Sequence, residues 1–156
     1  MTRCAPISNT RRRTAPGRSI GPVTNVLRVL VYSSDSDTRA QVIGALGTRL
    51  DADGPELSYY EVATEPMVFA QLDSGSVDAA ILDGEASPAG GLGIAKQMKD
   101  EYDPAPPSLV LLGRADDRWL ADWSRTEATA TLPVDPLALS TAFGQMLRTS
   151  GIVSSP

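Results

Sequence analysis

The 156-residue sequence contains no histidine and a single cysteine, Cys4. Those two absences remove a large share of protein chemistry. Without an imidazole there is no serine–histidine triad, no papain-like dyad and no haem ligation by histidine. Without a second thiol there is neither a Cys/His zinc site nor an intrachain disulfide. Long apolar runs are missing as well. Stretches such as residues 109 to 112 fall far below the roughly 20 residues needed to cross a bilayer, and the arginine-rich start lacks the apolar core of a secretory signal. A cytosolic protein is the expectation.

What is present fits an ordinary globular chain: 42% hydrophobic and 21% charged residues, 13 Gly and 12 Pro, and a length suited to one domain. The net charge of −5 is unevenly divided. Residues 1 to 22 carry Arg3, Arg11, Arg12, Arg13 and Arg18 and no acid, so the remainder, with nine basic and nineteen acidic residues, stands at −10. Residues 1 to 25 mix Ser, Thr, Pro and Gly with apolar residues too scattered to bury a face. They are expected to form an irregular extension that orders only on a partner. Residues 26 to 149 are expected to form the domain, followed by a short tail from 150 to 156.

From Val26 onward, five β-branched or leucine-rich runs alternate with segments of helical period, the pattern of a parallel sheet with helices on both faces. The runs are residues 27 to 32, 57 to 62, 77 to 82, 109 to 112 and 128 to 132. Asp35 or Asp37 caps a first helix reaching about residue 50, with Val42, Ile43, Ala45, Leu46 and Leu50 inward. Pro66 opens a short second helix, and residues 92 to 102 make a third with Leu92, Ala95 and Met98 inward. Asp116 or Asp117 caps a fourth carrying Trp119, Leu120 and Trp123. Asp135 with Pro136 starts the last, through Leu137, Leu139, Phe143, Met146 and Leu147. Right-handed crossovers then give an α/β, flavodoxin-like, doubly wound sheet of five parallel strands with five helices.

In such a sheet, ligands bind beyond the carboxyl ends of the strands. The exits here are Ser33 to Asp37 after strand one, Asp83, Gly84 and Glu85 after strand three, Leu112, Gly113 and Arg114 after strand four, and Leu132 and Pro133 after strand five. This layout resembles the receiver domain of two-component response regulators over residues 27 to 148. The resemblance implies strand order 2-1-3-4-5 and a phosphoryl-accepting aspartate at the end of strand three. It also implies two acids after strand one for magnesium, a Thr or Ser after strand four, and a lysine before the proline after strand five, with an aromatic three residues earlier. A phosphoryl group in transit spreads negative charge over its oxygens, so a hard cation and an ammonium must already stand around it.

Here the acceptor position is Asp83, but the acid pair falls on Ser33 and Ser34, the hydroxyl position on Leu112, the lysine on Leu132 and the aromatic on Thr129. The loop proline is displaced by one, with Ser87 at its position and Pro88 next. Four of five functional positions are replaced. The resemblance is therefore to an atypical pseudo-receiver with no catalysis, no cofactor and no metal, in which Asp35 and Glu85 remain as stray carboxylates. Asp83 before Gly84 also fits a turn former that bonds its own backbone. Leu132-Pro133 fits a tight turn with a cis bond, and Gly90 to Gly93 fit the start of a helix better than a nucleotide loop.

Surfaces then carry the functional reading. Trp119 and Trp123 lie one helical turn apart with Leu120 at another angle, so the three cannot share one narrow core stripe. Either both rings pack on the sheet, or at least one is exposed beside Arg118 as an interface anchor. The Arg-rich extension fits a solvated arm or a strap across an acidic protein surface better than a nucleic-acid arm, because residues 1 to 31 hold no aromatic and the body is acidic. Residues 28 to 34 (RVLVYSS), 81 to 86 (ILDGEA), 93 to 97 (GIAKQ) and 113 to 124 (GRADDRWLADWS) look like the orphan receiver proteins of mycobacteria and related actinobacteria. Those proteins are associated with respiratory complex I, the proton-pumping NADH dehydrogenase. The resemblance implies a non-catalytic accessory subunit on the hydrophilic arm of that complex, peripheral to the cell membrane without inserting, held by Arg3, Arg11, Arg12, Arg13, Arg18, Arg118, Trp119 and Trp123. The alternative is a phosphorylatable stand-alone response regulator switched at Asp83. A flavin- or nucleotide-binding domain of flavodoxin type is third, for lack of a phosphate loop.

Overall fold

A computed structural model describes residues 26 to 153. Five parallel strands, β1 (Val26–Tyr32), β2 (Glu56–Val62), β3 (Ala79–Asp83), β4 (Ser108–Leu112) and β5 (Ala128–Thr131), form one sheet in the order β2-β1-β3-β4-β5. They alternate with α1 (Ser36–Leu46), α2 (Glu65–Asp73), α3 (Gly91–Glu101), α4 (Trp119–Ser124) and α5 (Pro136–Thr149), a 3-10 turn (Ala115–Arg118) leading into α4.

Strand parity divides the core into two layers. Leu27, Val29, Val31, Ile81, Leu109 and Leu111 face one way and pack with Val42 and Leu46 of α1 and Leu139, Phe143 and Leu147 of α5. Leu30, Tyr32, Leu82, Val110 and Leu112 face the other way, onto Val68 and Leu72 of α2 and Ile94, Ala95 and Met98 of α3. Every residue of β3 and β4 is buried, which explains why those strands read as unbroken apolar runs. With both faces covered, the strand tips are where the central sheet can present polar groups.

The helix starts follow local rules. Asp35 Oδ1 accepts from the Asp37 amide at 3.0 Å and Asp135 Oδ1 from the Leu137 amide at 3.1 Å, so each aspartate caps its helix. Elsewhere tertiary packing moved the boundaries. The first helix stops at Leu46, four residues short of the expected end, because Gly47 takes φ +67°; Leu50 still packs on the α1–α5 layer. Ile94 joins Ala95 and Met98 as the buried line of α3, with Leu92 only partly buried. The expected fourth helix is a 3-10 turn plus six α-helical residues, and neither Asp116 nor Asp117 caps it: both lie inside the turn, whose cap position is Arg114. Val77 precedes β3 and Leu132 follows β5 rather than belonging to them. Leu137 is 75% exposed instead of inward. Beyond α5, Ile152 and Val153 pack on the α1–α5 layer, and the Ile152 amide donates to Leu147 O at 2.9 Å. The Leu132-Pro133 bond is cis.

Edge strand β2 is tied to the α1 terminus by Tyr59, whose hydroxyl donates to Gly47 O at 2.5 Å. Burial pushes that hydroxyl up from 10.0 to about 12. A folded-state value above the unfolded one means the neutral form is favoured by folding. Its contribution is complete below the usual tyrosine range and disappears as pH rises toward about 12. Tyr59→Phe is expected to lower stability at neutral pH by about 1 kcal/mol and to flatten the alkaline loss of stability, measured by urea unfolding across that range. An unchanged alkaline slope in the variant would contradict the assignment.

Candidate functional site

At the tips of the two central strands the chain places a serine against an aspartate. Ser33 is 1% exposed and Asp83 4%. The Ser33 hydroxyl donates to Asp83 Oδ2 at 2.7 Å, and its oxygen accepts from the Asp35 amide at 3.0 Å. The Glu85 amide donates to Asp83 Oδ1 at 2.8 Å, closing a turn on the aspartate's own backbone. Both carboxylate oxygens are thus met by donors from the chain. That matters energetically, because a buried carboxylate without donors is costly and charge-assisted hydrogen bonds are the strong ones.

The neighbouring groups are committed elsewhere. Asp35 caps α1, and its second oxygen accepts from Thr38 Oγ1 at 3.1 Å. Ser34 is exposed, its hydroxyl oxygen accepting from the Ser87 amide at 3.3 Å. Arg39 Nη1 donates to Ser33 O at 2.6 Å while its Nε pairs with Glu61 at 3.2 Å, bracing the β1 exit. The Tyr32 hydroxyl donates to Ala89 O at 2.5 Å and pins the β3–α3 loop to β1; burial, and then the Glu65 and Asp83 carboxylates, push that hydroxyl up.

On the other side of Asp83 the core takes over. Leu112 is buried in the α2–α3 layer, and Leu132 packs into the α1–α5 layer. Thr129 sits within β5 opposite Val110. The Glu85 side chain lies over Gly113: a Cβ built there would stand 2.6 Å from Glu85 Cδ. A Cβ on Gly84 would stand 2.6 Å from Leu111 O, so the β3–α3 and β4–α4 loops meet too closely for side chains at these two positions.

Magnesium does not fit this donor set. Ser33 spends its proton on Asp83, Asp35 spends both oxygens on α1, and among the described residues no group of three or more Asp, Glu or Cys could hold a metal ion. Of the positions singled out from sequence, the fold brings Ser33 and Asp83 into contact and Ser34 alongside through Ser87. It buries Leu112 in the core and packs the partly buried Leu132 against it. The roles of Tyr32, Arg39 and the Glu85–Gly113 contact were missed, since each depends on loops that meet only in three dimensions.

A second surface lies on α4. Trp119 is 67% and Trp123 51% exposed, Leu120 is partly buried, and Ser124 is the one buried residue of the helix. The Lys96 ammonium sits 5.8 Å from the Trp123 ring centroid and 3.0 Å from Asp100, which also pairs with Arg125. The Lys96 hydrogen bond first, together with the two nearby cations, holds the Asp100 carboxyl below its usual value. Lys99 meets Glu127 at 2.5 Å, and Glu127 also accepts from the Ser108 amide at 2.8 Å. The Lys96–Asp100 pair had a legible signal in its i,i+4 spacing; its place under Trp123 did not. Arg118 is exposed in the turn before Trp119, whereas Arg3, Arg11, Arg12, Arg13 and Arg18 lie outside the described residues.

The architecture is similar to that of the chemotaxis response regulator CheY4 of Vibrio cholerae, with a TM-score of 0.64 and 17% identity over 78% of this chain and 99% of that one. It is similar also to a CheY-like receiver domain protein of Methanospirillum hungatei, with a TM-score of 0.63 and 17% identity over 81% of this chain and 98% of that one. At such identities the likeness concerns the fold. No family model matches the chain. An uncharacterized response regulatory protein of Mycobacterium tuberculosis, found in two strains, is 57% identical over 125 residues, 80% of this chain and 94% of the relative. The chain belongs to the response regulator receiver family.

Within this receiver domain the Ser33 hydroxyl is the donor on which Asp83 depends. Ser33→Ala is expected to cost roughly 1.5–3 kcal/mol in urea unfolding, the range for a hydrogen bond to a charged group. Exposed Ser34→Ala should stay within about 0.5 kcal/mol. Equal effects of the two would show that the tip contact contributes nothing special.

Proposed function

We propose that this receiver domain works as a non-catalytic interaction module, an accessory subunit docked on the hydrophilic arm of respiratory complex I and so held at the cell membrane through its partner. The observation that carries the non-catalytic part is the closed state of the acceptor tip: both Asp83 oxygens are satisfied by Ser33 and Glu85, and leucines stand where a hydroxyl and an ammonium would be needed. The choice of partner rests on the likeness of residues 28 to 34, 81 to 86, 93 to 97 and 113 to 124 to the orphan receivers associated with that complex. The exposed Trp119 and Trp123, the latter beside the Lys96 ammonium, are the anchors this reading assigns, with Arg118 and the arginines of residues 1 to 22 as ionic contacts. Among the described residues no helix is long and apolar enough to cross a membrane.

An affinity-tagged chain recovered from gently solubilised membranes is expected to retain complex I subunits. Trp119→Ala with Trp123→Ala should cut that recovery at least about tenfold, the effect of losing interface anchors. Recovery of the tagged chain alone would overturn the partner assignment.

Membership of the receiver family, together with an aspartate at the β3 tip, favours a second reading, a stand-alone regulator phosphorylated at Asp83. Incubation with acetyl phosphate and magnesium separates the two. The interaction module keeps an unchanged intact mass, whereas a regulator gains one phosphoryl group that Asp83→Asn abolishes.

A further inference from the structure

Three residues around α4 sit where their own elements would not favour them. Arg125 follows the helix in a left-handed conformation, φ 60° and ψ 28°, and it is the one non-glycine residue with positive φ among the described residues. Glycine is the usual occupant of that place, because a Cβ is disfavoured there. Asp100 lies in the last turn of α3, where the helix dipole favours cations over carboxylates. Lys96 precedes Asp100 by four residues, the weaker order for an ion pair along a helix.

One arrangement accounts for all three. Asp100 Oδ2 accepts from Lys96 Nζ at 3.0 Å, while Oδ1 accepts from Arg125 Nη2. The carboxylate is therefore shared between a cation of α3 and a cation at the end of α4. Held in that way, the Lys96 ammonium stands 5.8 Å from the Trp123 ring centroid. The left-handed turn at Arg125 also lets the Thr126 amide donate to Ala121 O at 3.3 Å, and Thr126 Oγ1 donates to Ser108 O at 2.6 Å. Arg125 is thus fixed between the helix it closes and the start of β4.

The two helices are not equally secured. α3 buries Gly91, Ile94, Ala95 and Met98, whereas α4 has six residues and buries Ser124 alone. An isolated helix needs about 12–15 residues to persist, so α4 takes its position from its neighbours. The Asp100 pairs join its end to the anchored helix beside it.

We propose that Asp100 is the positioning residue of the tryptophan surface. It holds the end of α4 to α3 through Arg125 and lays Lys96 against Trp123, so the angle at which Trp119 and Trp123 are presented depends on this one carboxylate. Its consequence for docking rests on the reading of these rings as anchors given above; its hold on α4 does not. The side chains of Asp100 and Arg125 are 49% and 50% exposed, so dissolved ions reach the clamp and loosen it.

The full-length chain with Asp100→Asn keeps the shape of the side chain and loses its charge. Its Thr126 amide, whose bond closes α4, is expected to exchange with solvent up to about fivefold faster, the scale of an exposed ion pair. The Met98 amide of α3 and the urea midpoint should stay as they are. Both indole N–H signals should shift, Asp100→Glu should return them toward their original positions, and salt near 1 M, where the screening length is about 3 Å, should move the unmodified chain toward the Asp100→Asn positions. Arg125→Gly suits the left-handed backbone while removing the guanidinium, and it is expected to shift the same signals. Unchanged Thr126 exchange or unmoved indole signals in Asp100→Asn would overturn the proposal. So would a Met98 amide that quickens as much as Thr126, which would make the residue a general support of the fold. Failure of the unmodified chain to retain complex I subunits counts against the docking reading alone, since exchange and indole signals are read on the free protein.

Discussion

The hydrogen bond from Ser33 to Asp83 is the contact on which the polar end of this molecule depends. A carboxylate that is 4% exposed, at the tip of a strand buried on both faces, has to be met by donors. A site built for phosphoryl transfer gathers further carboxylates there and neutralises them with a bound cation, so it stands ready only when the metal is present. Here a neutral hydroxyl from β1 and an amide from the following loop do the work with nothing added. The charge is satisfied within the chain, and the tip becomes part of the structure.

Once the tip closes in that way, its surroundings are free to be apolar. Leu112 and Leu132 join the two core layers, and Glu85 lies across Gly113 where the neighbouring loops press together. Tyr32 holds the β3–α3 loop at Ala89, and Arg39 grips the carbonyl of Ser33. These contacts tie β1, β3 and their loops together at one end of the sheet. At the periphery, the tryptophans of α4 are exposed on one flank and Asp51, Asp53 and Glu56 at the start of β2 on the other.

Much of this was legible in the sequence, for identifiable reasons. The five strands announced themselves because strands covered on both faces must be apolar throughout, as residues 79 to 82 and 109 to 112 are. Asp35 and Asp135 marked helix starts because capping is settled within three residues of chain. The replacement of the acid pair by Ser33 and Ser34 could be read by position alone. The fourth helix misled, since Asp116 and Asp117 carry the chemistry of a cap while the backbone there tightens into a 3-10 turn and only six residues go on to form α-helix. The end of α1 misled too, because Leu50 packs inward after the helix has already stopped at Gly47.

By itself, the sequence determined what local chemistry and periodicity can encode: a doubly wound parallel sheet, an acceptor-like Asp83 stripped of its usual partners, and a charge split between a basic segment and an acidic body. Only the tertiary structure decided that Asp83 is satisfied rather than vacant, because Ser33 lies 50 residues away and meets it through the pairing of β1 with β3. Only it decided that both tryptophans face outward, Trp123 over Lys96, since a helix of six residues presents its rings according to how it is laid on α3. Periodicity says which residues share a face; packing alone says which face is covered.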